Sequence, residues 1–170
     1  MIRRATPEDK SKIMSIIRSA QQALRELDID QWQDGYPTPE SIDNDIAEGV
    51  GYVACAGSEV VGYAAIIESG EPAYQQLDNE WLYGSDYVVV HRICVDGNQR
   101  RKGVALELMS HAAKIGRSIS HNAFRIDTHR GNIRMLALLQ KLNFREVGTI
   151  HYTSGERVAY ELDLTLSDKL

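Results

Sequence analysis

The chain has 170 residues and a formal net charge of −5, and 43% of its residues are hydrophobic and 25% charged. This length suits one compact domain, and the composition is that of an ordinary globular protein rather than a disordered, collagenous or disulfide-stapled one. The negative charge argues against nucleic acid as the main partner. We therefore expect a single domain over residues 1–170.

Apolar runs in the sequence are short. The run VVGYAAII at 60–67 is far below the roughly eighteen residues that a membrane span needs, and the N-terminal MIRRATPEDK lacks the apolar stretch of a secretory signal. Cys55 and Cys94 have no CxxC or Cys/His ligand spacing, and two cysteines do not make a disulfide framework. We expect a cytoplasmic protein that binds no membrane and no metal and has two buried free thiols.

Hydrophobic periodicity and turn residues divide the chain into strands and helices. The first helix begins at Thr6, an N-cap followed by Pro7 and two acidic residues, and it ends before the Gly- and Pro-containing segment QWQDGYPTPE. Gly57-Ser58 is a two-residue turn of the kind that antiparallel hairpins prefer. The predicted order is β-α-α-β-β-β-α-β-α-β-β, with strands at 2–5, 50–56, 59–67, 87–95, 124–129, 145–152 and 156–164 and with helices at 6–27, 40–48, 103–119 and 132–142.

A strand end, a polar turn and a helix start meet in the segment VDGNQRRKGVA, residues 95–105. A helix N-terminus offers unpaired N–H groups and the positive end of a dipole, and Gly103 allows the main chain to approach a diphosphate closely. Arg100, Arg101 and Lys102 add positive charge there. The spacing is neither that of a Walker loop nor that of a GxGxxG dinucleotide fingerprint. The segment predicts another phosphate-bearing cofactor, the alternative being a solvated turn before an ordinary helix.

The hexapeptide Arg100-Arg101-Lys102-Gly103-Val104-Ala105 matches the fingerprint Arg/Gln-x-x-Gly-x-Gly/Ala of the GNAT superfamily of N-acetyltransferases. The chain resembles this family over nearly its whole length, since HRICV before the motif, the helix at Asn132 and LNF at 142–144 fall where the family has counterparts. The resemblance implies one N-acetyltransferase domain of the α/β (α+β) class with the GNAT-type acyl-CoA acyltransferase fold. That fold has a central mixed, mostly antiparallel sheet flanked by helices, with splayed fourth and fifth strands.

The resemblance also implies acetyl-CoA as the acyl donor. Main-chain amides of residues 101–105 would bind the CoA diphosphate, the edge of the fourth strand would pair with pantetheine, and Asn132 would contact the CoA arm. An amide of the fourth strand near Ile93 would bind the oxyanion. The cofactor-binding residues expected from the family are Ile93, Cys94, Val95, Arg100, Arg101, Lys102, Gly103, Val104, Ala105 and Asn132.

Acetyl transfer to an amine needs a base for the ammonium and an acid for the departing thiolate. His91, four residues before Val95, lies where relatives often have a proton acceptor, and imidazole suits neutral pH; the alternative is a half-buried strand residue satisfied by a neighbour. Many relatives carry the acid as a tyrosine on the helix of Asn132, but the matching residue here is Leu139. Tyr152 or a water would replace it, unless Tyr152 only packs at the end of a hairpin.

Aromatic and acidic residues are the candidates for the acceptor site, because aromatic faces attract cations by about 0.5 to 2 kcal/mol. Each has a plain alternative, either packing at a core edge or solvation in a loop. The acceptor would be a small-molecule amine, an amino acid or a protein N-terminus. The candidate acceptor-binding residues are Trp32, Asp34, Tyr36, Trp81 and Asp127, with Tyr83 and His129 as further candidates.

The sequence thus predicts an enzyme that moves an acetyl group from acetyl-CoA to a primary amine by direct attack in a ternary complex. The alternative is a non-catalytic acyl-CoA-binding or sensing module, because the usual tyrosine is missing. A nucleic-acid-binding role for Arg100–Lys102 is disfavoured, since no aromatic residues are interleaved with these cations. The final hairpin, expected to be exposed, makes a homodimer a reasonable expectation.

Overall fold

A computed structural model describes residues 1–166 and 170. The elements follow the predicted order, and 3-10 helices are added at Pro7–Asp9, Pro72–Leu77 and Gly97–Gln99. Three strands have the predicted bounds, and most other bounds differ by one or two residues, as is usual at frayed ends. The first α-helix begins at residue 10 rather than 6, because residues 7–9 form a 3-10 turn. The strands are β1 (Ile2–Arg4), β2 (Gly51–Ala56), β3 (Glu59–Ile67), β4 (Tyr87–Val95), β5 (Ala123–Thr128), β6 (Arg145–Tyr152) and β7 (Gly155–Asp163), and the helices are α1 (Lys10–Arg25), α2 (Pro39–Ala47), α3 (Val104–Ser118) and α4 (Ile133–Lys141).

The seven strands form one sheet in the order β1-β2-β3-β4-β5-β7-β6. The registered pairs β1/β2, β2/β3, β5/β7 and β6/β7 are antiparallel, whereas β4 and β5 are parallel. The parallel pairing covers the first three residues of each strand, from Tyr87 opposite Ala123 to Val89 opposite Arg125. These observations confirm the predicted mixed, mostly antiparallel sheet with flanking helices.

The chain divides into two compact units, one of residues Met1–Ile66 and Val90–His111 and the other of Ile67–Val89 and Ala112–Leu170. In the first unit the apolar face of α1 packs with residues of β2, β3 and β4, and both Cys55 and Cys94 belong to this core. In the second unit one cluster of buried residues consists of Tyr74, Leu77, Val89, Ile150 and Ala159. Both cysteines are buried free thiols, as predicted.

Gly62 in β3 allows the first turn of α3 to lie close to the sheet. A Cβ atom at Gly62 would be 2.8 Å from Cγ1 of Val104 and 3.3 Å from the carbonyl oxygen of Cys94. Because a packed interior has no slack for such an approach, a side chain here would displace the helix. Glycine at this position therefore permits the close approach of the helix start on which the predicted anion site depends.

Within residues 1–166 and 170, no helix is long and apolar enough to cross a membrane. The same residues contain no group of three or more His, Cys, Asp or Glu side chains that could hold a metal ion.

Candidate active site

The β4–α3 loop, residues 96–103, is a tight turn that ends in a helix. Its first residue, Asp96, accepts a hydrogen bond at Oδ1 from the N–H of Asn98 at 3.0 Å. Arg101 and Gly103 have φ values of 63° and 85°, in the left-handed region that favours glycine and is uncommon for other residues. These two residues turn the chain into α3.

The start of α3 leaves main-chain donors available to a ligand. The N–H of Glu107 donates to the carbonyl oxygen of Gly103 at 2.9 Å, so the N–H groups of residues 104–106 precede the first helical hydrogen bond. A Cβ atom at Gly103 would meet no atom within 4 Å. The space beside this turn is therefore open, as an anion held by main-chain N–H groups requires.

Charge at the loop favours an anion. Arg100, Arg101 and Lys102 are exposed, and no described residue forms a salt bridge with them. The one acidic residue of the loop, Asp96, is paired with Lys12, whose Nζ lies 3.1 Å from Oδ2. The Asn98 N–H and then Lys12 lower the pKa of that carboxyl. The exposed cations and the open N–H groups together fit an extended anionic group such as the CoA diphosphate.

Strand β4 carries a left-handed residue in its middle. Arg92 has a φ of 55°, which costs a non-glycine residue about 1 to 2 kcal/mol. A residue of this kind interrupts the regular pleat and re-aims the peptide groups beside it. The predicted base His91 directly precedes it and is half-buried, and the predicted oxyanion donor Ile93 directly follows it.

The Cys94 thiol of β4 is a poor nucleophile. Cys94 is buried, and burial raises the pKa of the thiol to about 12. The thiolate, which is the reactive form, is therefore scarce near neutral pH. The predicted role of Cys94 rests on its main chain, since its side chain belongs to the core.

The guanidinium of Arg92 is held on two sides. Its Nε and Nη2 donate to Oδ2 and Oδ1 of Asp45 at 2.8 and 2.5 Å, and its Nη1 donates to the hydroxyl of Tyr36 at 2.6 Å. Tyr63 also donates its hydroxyl to Oδ2 of Asp45 at 2.6 Å. Burial opposes the charge of Arg92, but Tyr36 and Asp45 more than compensate and raise its pKa. We call these four residues the Arg92 cluster.

The α1–α2 loop, residues 26–38, contributes the predicted acceptor-binding residues of the first unit. Trp32 is half-buried and packs against the core. Asp34 accepts a hydrogen bond from the N–H of Tyr36 at 3.2 Å, so its carboxylate stabilises its own turn. Tyr36 is 37% exposed and is joined to β4 through Arg92. Arg92 and Asp45 were not predicted from the sequence, although an arginine within the apolar run VVVHRICV was a usable signal for Arg92.

In the second unit, the predicted residues Asp127 and Tyr152 are in direct contact. Oδ2 of Asp127 accepts hydrogen bonds from the hydroxyl of Tyr152 at 3.0 Å and from that of Tyr74 at 2.9 Å. Burial and then the Asp127 charge raise the pKa of Tyr74 well above its usual value. The sequence did not single out Tyr74 as part of this group.

Trp81 and Asn132, two other predicted residues of the second unit, also have local partners. The indole N–H of Trp81 donates to the carbonyl oxygen of Tyr74 at 3.0 Å, and its ring lies 4.1 Å from the guanidinium carbon of Arg125. These two contacts hold the indole of Trp81 in place. Asn132 is the N-cap of α4, because its Oδ1 accepts from the N–H of Met135 at 3.3 Å.

The comparisons with known proteins agree with this geometry. A family model described as the acetyltransferase (GNAT) family matches residues 21–144. A GNAT-family acetyltransferase from Streptococcus agalactiae is 31% identical over 96% of this chain and 94% of that one, with a TM-score of 0.81. A GNAT-family acetyltransferase from Listeria monocytogenes is 19% identical over 96% and 94%, with a TM-score of 0.72.

A ribosomal-protein-alanine N-acetyltransferase from Brucella melitensis is 18% identical over 96% of this chain and 99% of that one, with a TM-score of 0.67. At this identity the likeness concerns the fold alone. No match to the chain is found among curated proteins.

Proposed function

We propose a reaction for this chain, which belongs to the GNAT family of acetyltransferases. In this proposal the chain transfers the acetyl group of acetyl-CoA to a primary amine by direct attack in a ternary complex. The observation that carries the proposal is the β4–α3 loop, where open main-chain N–H groups, a left-handed Gly103 and three exposed cations coincide. The chain acts as a single N-acetyltransferase domain in this proposal.

The cofactor-binding residues follow from that loop. Main-chain N–H groups of 101–105 bind the diphosphate, and Arg100, Arg101 and Lys102 offset its charge. The edge of β4 at Ile93–Val95 pairs with the pantetheine arm, and Asn132 contacts the CoA arm. Acetyl-CoA supplies the thioester that an amine can attack.

Direct attack by the amine is favoured over an acyl-enzyme intermediate because the Cys94 thiol of β4 is a poor nucleophile. The Cys94 thiol is buried and has a pKa of about 12, and a covalent step would need its thiolate. The amine must instead lose its own proton before it attacks the thioester carbon. Negative charge then develops on the carbonyl oxygen, and a re-aimed N–H beside Arg92 is a suitable donor for it.

We assign proton transfer to His91 and Tyr152. His91 takes the proton of the ammonium directly or through water. The hydroxyl of Tyr152 donates to Asp127 at 3.0 Å, and in this proposal it turns from that carboxylate to give its proton to the thiolate. The acceptor-binding residues are Trp32, Asp34, Tyr36, Trp81 and Asp127, and the acceptor is a small amine, an amino acid or a protein N-terminus. A cytoplasmic location and a homodimer stay predictions.

Isothermal titration with acetyl-CoA, and with NAD as a control, tests the proposed cofactor. We expect acetyl-CoA to bind and NAD not to bind, because the loop lacks the dinucleotide fingerprint. Thiol release from acetyl-CoA is then measured with a panel of amines. Turnover with at least one amine supports the transferase, whereas binding without turnover for any amine class would favour an acyl-CoA-binding module. Absence of acetyl-CoA binding would remove both.

His91→Ala is expected to slow transfer most at pH values below the pKa of the amine. There the acceptor is an ammonium and needs a base, whereas at higher pH it deprotonates without help. The ratio of the wild-type rate to the variant rate should therefore fall as pH rises toward the pKa of the amine. Rates of thiol release from pH 6 to 10 measure this ratio. A ratio that does not change with pH would remove His91 from the mechanism.

A further inference from the structure

We propose that Arg92 is a positioning residue for the transfer step: clamped by Asp45, it holds Tyr36 of the α1–α2 loop beside the left-handed turn of β4. The inference rests on the proposed function and concerns residues that the family fingerprint does not contain. Arg92 joins the loop, helix α2 and strand β4 through three hydrogen bonds of 2.5 to 2.8 Å.

Burial of the Arg92–Asp45 pair and the positive φ of Arg92 both cost free energy. The Arg92 side chain is 13% exposed and that of Asp45 is 6% exposed, so both charges are largely withdrawn from water. A buried ion pair often adds no stability over apolar residues of the same volume. The same residue also has a φ of 55°, which is unfavourable for arginine. Two costs at one residue, next to the predicted base, indicate a role in function rather than in folding.

The bidentate pair fixes the orientation of the guanidinium. Nε and Nη2 both face Asp45, whose Oδ2 also accepts the hydroxyl proton of Tyr63. A planar guanidinium held at two nitrogens cannot rotate, so Nη1 has one direction. That direction is toward the oxygen of Tyr36. The position of Tyr36 is thus set by β4 and α2, and not by its loop alone.

The pairing also suits a cationic acceptor. An unpaired guanidinium beside the acceptor would repel an ammonium group. Asp45 neutralises that charge. The ring of Tyr36 lies 5.9 Å from the guanidinium carbon of Arg92 and is 37% exposed, so its exposed part can contact a second cation. Because the oxygen of Tyr36 accepts from Arg92, its own O–H must point away from the guanidinium.

Arg92→Lys removes the bidentate geometry and keeps the charge. With the amine that gives the fastest turnover, we expect kcat to fall about 10-fold to 100-fold, the range for a small misplacement of reacting groups. The Kd for acetyl-CoA should stay within about 2-fold, because the β4–α3 loop is intact. Guanidinium added to Arg92→Ala should restore part of kcat, whereas added ammonium should not.

Arg3→Lys is the matched control. Arg3 also forms a bidentate pair in the first unit, with Nη1 and Nη2 donating to Asp9 at 2.6 and 2.9 Å. This variant should keep the wild-type kcat. An equal fall of kcat in Arg3→Lys and Arg92→Lys would reduce Arg92 to a structural residue, and an unchanged kcat in a folded Arg92→Lys protein would overturn the inference.

Tyr36→Phe tests the inference without disturbing the buried pair. It removes only the hydroxyl that accepts from Arg92, and we expect a lower kcat at unchanged thermal stability. The double variant Arg92→Lys with Tyr36→Phe should be no slower than Arg92→Lys, because both remove the same contact. If the two substitutions lowered kcat independently, so that their fold-changes multiplied, the proposed coupling of Arg92 and Tyr36 would be contradicted. No turnover by the wild type with any amine would instead overturn the proposed function, and the inference with it.

Discussion

Gly103→Val is expected to weaken acetyl-CoA binding by about 10-fold or more, which is about 1.4 kcal/mol or more. The valine side chain would enter the open space beside the helix start, where a Cβ now meets no atom within 4 Å. In our proposal the diphosphate occupies that space. The φ of 85° at this residue is also unfavourable for a β-branched side chain, so the turn itself would shift. Isothermal titration measures the affinity.

Gly57→Val is the control that separates a blocked diphosphate site from backbone strain at a left-handed glycine. Gly57 has a φ of 62°, and a Cβ there would likewise meet no atom within 4 Å, but it lies in the turn between β2 and β3. Both variants should lose about 1 to 2 kcal/mol of unfolding free energy from backbone strain. Only Gly103→Val should lose affinity. If the folded Gly103→Val protein bound acetyl-CoA as tightly as Gly57→Val, the diphosphate site would lie elsewhere.

Glu161→Ala is expected to lower the free energy of unfolding by about 3 to 5 kcal/mol. Glu161 is fully buried and its Oε1 accepts from Nε of Arg125 at 2.9 Å, while its Oε2 accepts from the N–H of Leu82 at 2.6 Å. The substitution would leave the Arg125 charge buried between the rings of Trp81 and Tyr87 without a counterion. Urea unfolding followed by circular dichroism measures the loss.

Glu146→Ala is the control for this prediction. Glu146 lies in the same β6–β7 hairpin and pairs with Arg130 at 3.2 Å, but the two side chains are 48% and 63% exposed. Exposed pairs contribute about 0 to 1 kcal/mol, so this variant should be nearly as stable as the wild type. Replacing Arg125 by Met and Glu161 by Leu together should recover much of the loss. If Glu161→Ala and Glu146→Ala lowered the free energy of unfolding equally, burial of the Arg125–Glu161 pair would not be the cause of the loss.

The order of elements was predictable because the local signals agree with the packing. Thr6 and Pro7 mark the first helical turn, and Gly57-Ser58 joins two strands whose residues pair as a hairpin. The helix predicted to end at residue 142 is followed by Asn143, whose φ of 65° is that of a left-handed residue after a helix. The 3-10 helix Pro72–Leu77 was not predicted, since its residues have no helical apolar face of sufficient length.

The candidate site was predictable only where its residues are consecutive. The β4–α3 loop is one short segment, so its glycine, cations and helix start can be read together. Arg92 and Asp45 are 47 residues apart, and their hydrogen bonds depend on how α2 meets β4. Trp81 was named from its residue type and its place in a loop, and nothing in the sequence indicated its contact with Arg125.

The burial of both cysteines has a practical meaning for redox chemistry. Oxidants and alkylating reagents attack thiolates that they can reach, and neither Cys55 nor Cys94 is exposed. The two thiols of the folded protein should therefore resist oxidation by peroxide without a reductant in the buffer. In a thiol-release assay the free CoA would then be the thiol that reacts with a disulfide dye, with little background from the enzyme.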